Sequence, residues 1–284
     1  MELDIIYNED CLIGLNKIPD LSIDMIFCDL PYGTTHNEWD NKIPLNDYVL
    51  LDGKFYCEDD YMLYQYKKGI DYPTSRLFFD THKQPGLWTL FHRIIKPNGV
   101  IALWGQDKYA HELVQSNYQY FRYEWIIEKS KGTGHLNARK MPLKCHESVL
   151  IFYKHLPPYH PQKTTGHTPV HNYTKHTSDG SNYGKGKLGI SGGGSTERYP
   201  RDVLKFKWDT QKSHLHPTQK PIEACKYFIL TYTNKGNIIL DATAGSCTTA
   251  VAAKKLNRHF ICFEKNTAMY EIGISRLEKE LSIV

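Results

Sequence analysis

Long apolar runs are missing from this sequence. Nothing in its 284 residues approaches the roughly 18 consecutive apolar side chains that a membrane-crossing helix requires. No signal-peptide pattern, a basic segment followed by an apolar one, opens the sequence, so a secretory leader is not expected. The seven cysteines, an odd number, are scattered from Cys11 to Cys262 and never form C-x-x-C. That usage fits reduced thiols in a cytoplasm and argues against a disulfide framework or a zinc ribbon. Cys145-His146 has no companions at metal-ligand spacing, so no metal is expected. Also absent are the G-x-G-x-x-G turn of dinucleotide enzymes and the G-x-x-x-x-G-K-[ST] loop of nucleotide phosphatases. The expectation left standing is a soluble, cytoplasmic, globular protein without a pyrophosphate ligand and without a membrane partner.

Aromatic residues, by contrast, are plentiful at 13%, with 20 tyrosines among them, and the mean hydropathy is −0.51. The net charge of +4 is unevenly spread. Between Lys154 and Lys220 eleven Lys/Arg face four Asp/Glu, a surplus of seven, which leaves the rest of the chain three negative. A basic segment on a mildly acidic body is the distribution of a surface that meets a polyanion.

Strand and helix patterns alternate along most of the chain. Residues 3–7 and 24–28 read as strands, 86–95 and 107–116 as helices, and 100–104, 123–128 and 148–153 as further strands. The alternation predicts an α/β fold with a mostly parallel sheet and helices on both faces. From about residue 34 to 84 the chain is polar and lacks clear periodicity, which suggests an active-site loop or lid; Trp39 is a candidate lid aromatic. Residues 154–212 break the rhythm again, rich in His, Tyr, Thr, Lys and Gly, and read as an inserted segment whose bases and tyrosines suit a nucleic-acid backbone. The expected division is therefore a catalytic and cofactor domain from 1–153 and 213–284, interrupted by the 154–212 insert. Between the strands at 123–128 and 148–153 lies a basic, glycine-containing loop, Lys131–Lys140.

Two stretches carry chemistry. Asp29-Leu30-Pro31-Tyr32 follows the apolar run 24–28 and precedes Gly33, so it falls at the C-terminal edge of a buried strand, where open α/β sheets bind ligands. An amino group conjugated to a heteroaromatic ring is a poor nucleophile. Acceptors fixed around its N–H bonds return its lone pair to it. Asp29 supplies one acceptor, and the carbonyl of Leu30 a second, its direction limited by Pro31; Tyr32 supplies a ring for stacking. An ordinary Pro-Tyr turn would leave the same trace. The second stretch runs strand 237–240, Asp241, a small-residue turn through Gly245 and Ser246, a helix from Thr248, and a strand ending at Glu264. Gly245 lets backbone approach a ligand. Ser246 and Thr248 at a helix start suit a carboxylate, and Glu264 suits two ribose hydroxyls. A plain βα turn is the alternative.

Asp29-Leu-Pro-Tyr32, His216-Pro-Thr-Gln-Lys-Pro221 and Asp241-Ala-Thr-Ala-Gly-Ser-Cys-Thr-Thr249, in this order, resemble the β-class of S-adenosylmethionine-dependent DNA amino-methyltransferases. Trp125–Lys129, Leu136-Asn137-Ala138 and His146-Glu147 are similar to that family as well, and the likeness spans nearly the whole chain. The resemblance implies a permuted Rossmann-like methyltransferase fold, in which the N-terminal strand lies beside the C-terminal βαβ unit. It implies S-adenosyl-L-methionine as cofactor and Asp29, Leu30, Pro31 and Tyr32 as the catalytic set, with leucine where the family usually has proline. It implies cofactor contacts from Asp10, Thr218, Lys220, Asp241, Gly245, Ser246, Thr248 and Glu264, with Thr218 and Lys220 against the methionine. Cys247 replaces a family glycine and is expected to crowd the ligand. Asp at the first catalytic position resembles the adenine-N6 enzymes, so the implied reaction is methylation of adenine N6 in double-stranded DNA, the base flipped onto Tyr32. An N4-cytosine enzyme, a DNA-binding protein with a decayed pocket, and an RNA substrate are the rival readings. A cognate restriction endonuclease and a homodimer are candidate partners.

Overall fold

Strands whose side chains alternate between two apolar faces build the centre of the molecule. A computed structural model describes residues 1–35, 37, 40–174, 191–207 and 219–281. The chain opens with β1 (Ile5–Tyr7), α1 (Cys11–Leu15) and β2 (Ile23–Cys28). It continues with β3 (Tyr48–Leu51), β4 (Lys54–Cys57), α2 (Glu58–Lys67), α3 (Tyr72–His82) and α4 (Leu87–Ile94). Next come β5 (Ile95–Gly105), α5 (Asp107–Ser116), β6 (Phe121–Thr133) and β7 (Lys144–Phe152). After β8 (Tyr173–Thr174), β9 (Ser191–Gly192) and β10 (Val203–Lys205), the last third holds α6 (Ile222–Tyr232), β11 (Ile238–Asp241), α7 (Thr248–Lys255), β12 (His259–Phe263) and α8 (Thr267–Leu281). Among the described residues no helix is long and apolar enough to cross a membrane.

Among the same residues the main sheet has eight strands in the order β1-β12-β11-β2-β5-β7-β6-β10. Pairing is parallel except where β7 runs against β5 and β6. β1 lies parallel to β12, with Ile5 opposite Ile261, so the first strand closes the C-terminal βαβ unit as the permuted order requires.

The alternation is visible in β2. Met25 and Phe27 point into one core with Trp104, Phe228, Ile229 and the alanines of α7, while Ile26 and Cys28 point into the other with Leu15, Phe91, Leu103 and Leu113. Helices α6 and α7 thus cover one face and α1, α4 and α5 the other. Each large side chain removed from water here contributes roughly 1.5–3 kcal/mol. A strand buried on both faces must read as a continuous apolar run, and Ile23–Cys28 does, apart from Asp24. Asp24 is satisfied by Lys96 Nζ at 2.7 Å and by Ile238 N at 2.9 Å.

Two expectations change. From Tyr48 to His82 the segment is not an irregular loop: β3 and β4 pair as a hairpin, and α2 and α3 pack on it around Val49, Tyr61 and Phe79. Each helix buries only one or two side chains, too narrow a stripe to leave a periodic signal. The insert is also shorter than 154–212. The chain divides into one unit of Met1–His160 with Asp202–Val284 and a second of Pro161–Arg201. Residues 203–205 form β10 on the edge of the main sheet, and His160 N bonds Thr231 O, which assigns both flanks to the larger unit. Within the smaller unit Thr164 and Arg198 exchange backbone bonds of 3.0 and 2.9 Å, and Lys163 pairs with Glu197 at 2.9 Å while lying over the Tyr199 ring.

Candidate active site

The loop after β2 is organised by a carboxylate that the sequence reading missed. Asp40 is buried and accepts from four successive backbone N–H groups, Tyr32 (2.8 Å), Gly33 (2.9 Å), Thr34 (2.8 Å) and Thr35 (2.7 Å). Burial opposes its ionisation, but these donors outweigh it and hold the carboxyl below the usual range. Gly33, at φ +66°, makes the turn that lets the four amides converge. Leu30 is fully buried in the core beside Cys28 and Leu87, so packing fixes the backbone there in place of the missing proline.

Asp29 emerges from that anchored loop into a chain of charges. Its Oδ2 lies 3.0 Å from Lys220 Nζ, which also meets Glu147 Oε2 at 2.9 Å, and Glu147 in turn pairs with Lys129 at 2.6 Å. Tyr32 Oη donates to Asp29 Oδ1 at 2.8 Å. The Lys220 ammonium sits over the rings of Trp104 and Tyr32, 5.1 and 5.6 Å from their centroids. The Asp29 side chain keeps 29% of its surface, against 10% for Lys220 and 9% for Glu147, so Asp29 is the end of the chain that a substrate can reach. Burial pushes the Asp29 carboxyl above its usual range, with Lys220 pulling the other way. Burial also opposes the charge of Glu147, but Lys220 and Lys129 prevail and hold it low. Tyr32 packs against Tyr109 at 5.0 Å, and Tyr109 Oη is buried with no partner among the described residues.

The neighbouring strand, β11, delivers the second loop to the same sheet edge. Thr243 Oγ1 donates to the Asp29 carbonyl at 3.0 Å, and Ala242 N to Cys28 Sγ at 3.2 Å, so the two loops are stitched together. Asp241 is buried at the tip of β11, where desolvation pushes its carboxyl up to about 7. Gly245, at φ +50°, donates its N–H to Glu264 Oε2 at 2.8 Å, and Glu264 Oε1 accepts from Asn266 N at 2.8 Å. A carboxylate so held still has lone pairs for further donors. Among the described residues, its chain neighbours aside, no atom lies within 4 Å of where a Gly245 side chain would begin, so the backbone there borders open space. The buried Oε1 of Gln219, beside Lys220, has no partner among the described residues.

The sequence-derived set is thus only partly gathered. Asp29, Tyr32 and Lys220 form one cluster and Asp241, Gly245 and Glu264 another, joined through Thr243. Lys220 faces the Asp29 carboxylate. Ser246 and Thr248 are occupied from within: Arg276 Nη1 reaches Ser246 O (2.8 Å), Ser246 Oγ (3.2 Å) and Thr248 Oγ1 (2.8 Å). Asp10 caps α1 by accepting from Leu12 N at 2.9 Å and pairs with Lys265 at 3.0 Å. Thr218 and Trp39 lie outside the described residues. Cys247 has φ +60° and is fully buried; its Sγ fills the space that a side chain at Gly273 of α8 would take. It therefore lies against α8.

The comparisons with known proteins fit this layout. The model of the family described as DNA methylase (N6_N4_Mtase) matches residues 23–275. The Type II methyltransferase M.HindIII of Haemophilus influenzae is 27% identical over 97% of this chain and 95% of its own length. The DNA adenine methyltransferase YhdJ of Escherichia coli K12 is 26% identical over 98% of this chain and 83% of its own. Among solved structures, the M1.HpyAVI–SAM complex is 16% identical and superposes with a TM-score of 0.53, covering 95% of this chain and 98% of that one, a likeness of fold.

Proposed function

Because the chain belongs to the DNA methylase family, we propose that it transfers a methyl group from S-adenosyl-L-methionine to adenine N6 of a base flipped out of double-stranded DNA. The observation that carries this reading is the joint between the two loops: a solvent-reaching carboxylate, Asp29, is bonded through its own carbonyl to Thr243 of the turn that leads to Gly245. A methyl acceptor and a methyl donor have to meet across such a joint.

The residues fit the cofactor. Open space beside Gly245 admits a nucleoside, Glu264 retains lone pairs for ribose hydroxyls, and Gln219 Oε1, unpartnered among the described residues, is an acceptor for an ammonium. Asp241 belongs to this side of the site. Asp10, Thr218, Ser246 and Thr248 complete the proposed cofactor set, the last two through the turn that Arg276 braces. When bound, S-adenosyl-L-methionine supplies a methyl group made electrophilic by its sulfonium.

Asp29 accepts an N–H of the exocyclic amine and draws its lone pair out of the ring, in an arrangement fixed beforehand by Lys220 and the Asp40-anchored loop. The Tyr32 hydroxyl, now donating to Asp29, yields that position to the amine, and its ring packs on the base. Transfer leaves the nitrogen with a surplus proton. Asp29, whose carboxyl burial holds above its usual range, is the group at hand to receive it. Pro31 and the Leu30 carbonyl complete the catalytic set.

Adenine is the base proposed because Asp stands first in the catalytic motif, and one relative is named an adenine methyltransferase. The smaller unit, Pro161–Arg201, and its basic flanks are proposed to hold the phosphates. A cytoplasmic location, a cognate restriction endonuclease and a homodimer belong to the same proposal, the second because a relative is named a Type II methyltransferase.

Incubating DNA with labelled cofactor and separating the nucleosides tests the reading. N6-methyladenine is expected; N4-methylcytosine alone would overturn the base assignment. Asp29→Ala should cut transfer by at least about a thousandfold while calorimetry shows near-normal cofactor binding, as loss of a positioned acceptor implies. Near-normal turnover in that variant would remove Asp29 from its role.

A further inference from the structure

The hairpin of β6 and β7 reaches past the rest of the sheet. Ser148 pairs with Gly105, the last residue of β5, so Lys144–Glu147 run on beyond it by about 13 Å at roughly 3.3 Å per residue. β5 is parallel to β2, so this overhang leaves from the edge that carries Asp29. Its connection is a built turn. Gly134, at φ +88°, starts a single 3₁₀ turn over His135–Asn137. Four backbone bonds close it: Asn137 N to Gly134 O (2.9 Å), Ala138 N to His135 O (3.1 Å), Lys140 N to Asn137 O (2.8 Å) and Met141 N to Asn137 O (3.0 Å). At its tip Leu136 is wholly exposed, at 101% of its reference surface.

One exposed leucine is ordinary on a protein surface. Its setting here is not. Residues 129–144 carry no acid and five Lys/Arg, of which Lys129 pairs with Glu147 and Lys144 with Asp107, so Lys131, Arg139 and Lys140 are the surplus on an overhang at the edge of the sheet that carries the carboxylate proposed to meet the base. A base that leaves a duplex breaks its stacking on both sides, at a cost of a few kcal/mol, and leaves a gap that an apolar side chain can fill.

We propose that Leu136 is the wedge that enters the base stack as the target leaves it, with Lys131, Arg139 and Lys140 on the flanking phosphates. The occupant is duplex DNA, whose phosphates the basic segment suits, and the inference rests on the methylation reading above. The rigid turn matters because a floppy loop would lose, in ordering, what the inserted side chain contributes.

The test needs the methylated site, which modified-base sequencing of DNA from cells expressing the chain locates. Two duplexes carrying it are then compared, one fully paired and one with the target base mispaired and so already loosened. Leu136→Ala should lower kcat/KM about tenfold on the paired duplex and within about twofold on the mispaired one, and Leu136→Met should restore most of the loss. Calorimetric affinity for S-adenosyl-L-methionine should not change. Equal losses on both duplexes would overturn the wedge. No loss on either would overturn it as well and leave the tip as a protein contact. Failure of the unmutated chain to methylate either duplex would overturn the reading of function, and the wedge with it.

Discussion

Lys220 holds two carboxylates at once, and its removal has a calculable sign. Burial raises the Asp29 carboxyl, Lys220 lowers it, Glu147 raises it through its own charge, and the Tyr32 hydroxyl lowers it. The working form of Asp29 is the ionised acceptor, so activity rises as pH climbs through its pKa. Lys220→Met deletes the strongest lowering influence, so the acidic limb of kcat/KM should move to higher pH. A rate that fell uniformly, with the limb unmoved, would make Lys220 a purely structural residue. Glu147 remains paired with Lys129 in that variant, which protects the fold. None of this pairing was legible in the sequence: Asp29 and Lys220 are adjacent only after the chain has folded, and spacing rules describe neighbours along one element. The motif resemblance placed Lys220 against the cofactor, and Glu147 and Lys129 entered only as parts of similar stretches. Asp40 left no trace because a carboxylate that gathers backbone amides has no sequence partner to betray it.

At the level of elements, the N-terminus of α7 and the face of α8 are fitted to each other. Cys247 holds a left-handed backbone that glycine adopts more cheaply, by about 1–2 kcal/mol. Its Sγ is accommodated because α8 presents Gly273 opposite. A Gly273→Ala methyl would collide with that sulfur and press toward Gly245 O, 3.3 Å away. The variant should lose about 1–3 kcal/mol of stability in denaturant titration, and Gly273→Ala combined with Cys247→Gly should recover most of it. Additive losses would show that the two positions do not share the space. The sequence flagged Cys247 as a departure but could not give its direction, which is set by φ. The helices α2 and α3 were lost for a different reason. Their buried faces are one or two side chains, and the start signal of α3, Asp71 capping Thr74 N at 2.9 Å with Pro73 behind it, was present but unweighted.

The whole molecule was the most legible scale. Strand–helix alternation foretold a mostly parallel sheet, and the motif order placed β1 beside β12, because both depend on patterns that repeat over many residues. The extent of the basic insert was less so, since composition does not show that residues 203–205 add a strand to the edge. The surplus of seven positive charges between Lys154 and Lys220 has a measurable consequence. Filter binding should show DNA affinity falling about a thousandfold between about 50 and 200 mM salt, with cofactor affinity nearly constant. A flat response would mean that phosphates are not what the chain holds.

The position of β2 also sets when a nascent chain becomes competent. The partner on one side of this strand, residues 95–105, is synthesised early, but the partner on the other, β11, begins only at Ile238. Until translation has passed that point Asp29 has no Thr243 beside it, and the ribosome carries half a catalyst whose central strand lies open along one side.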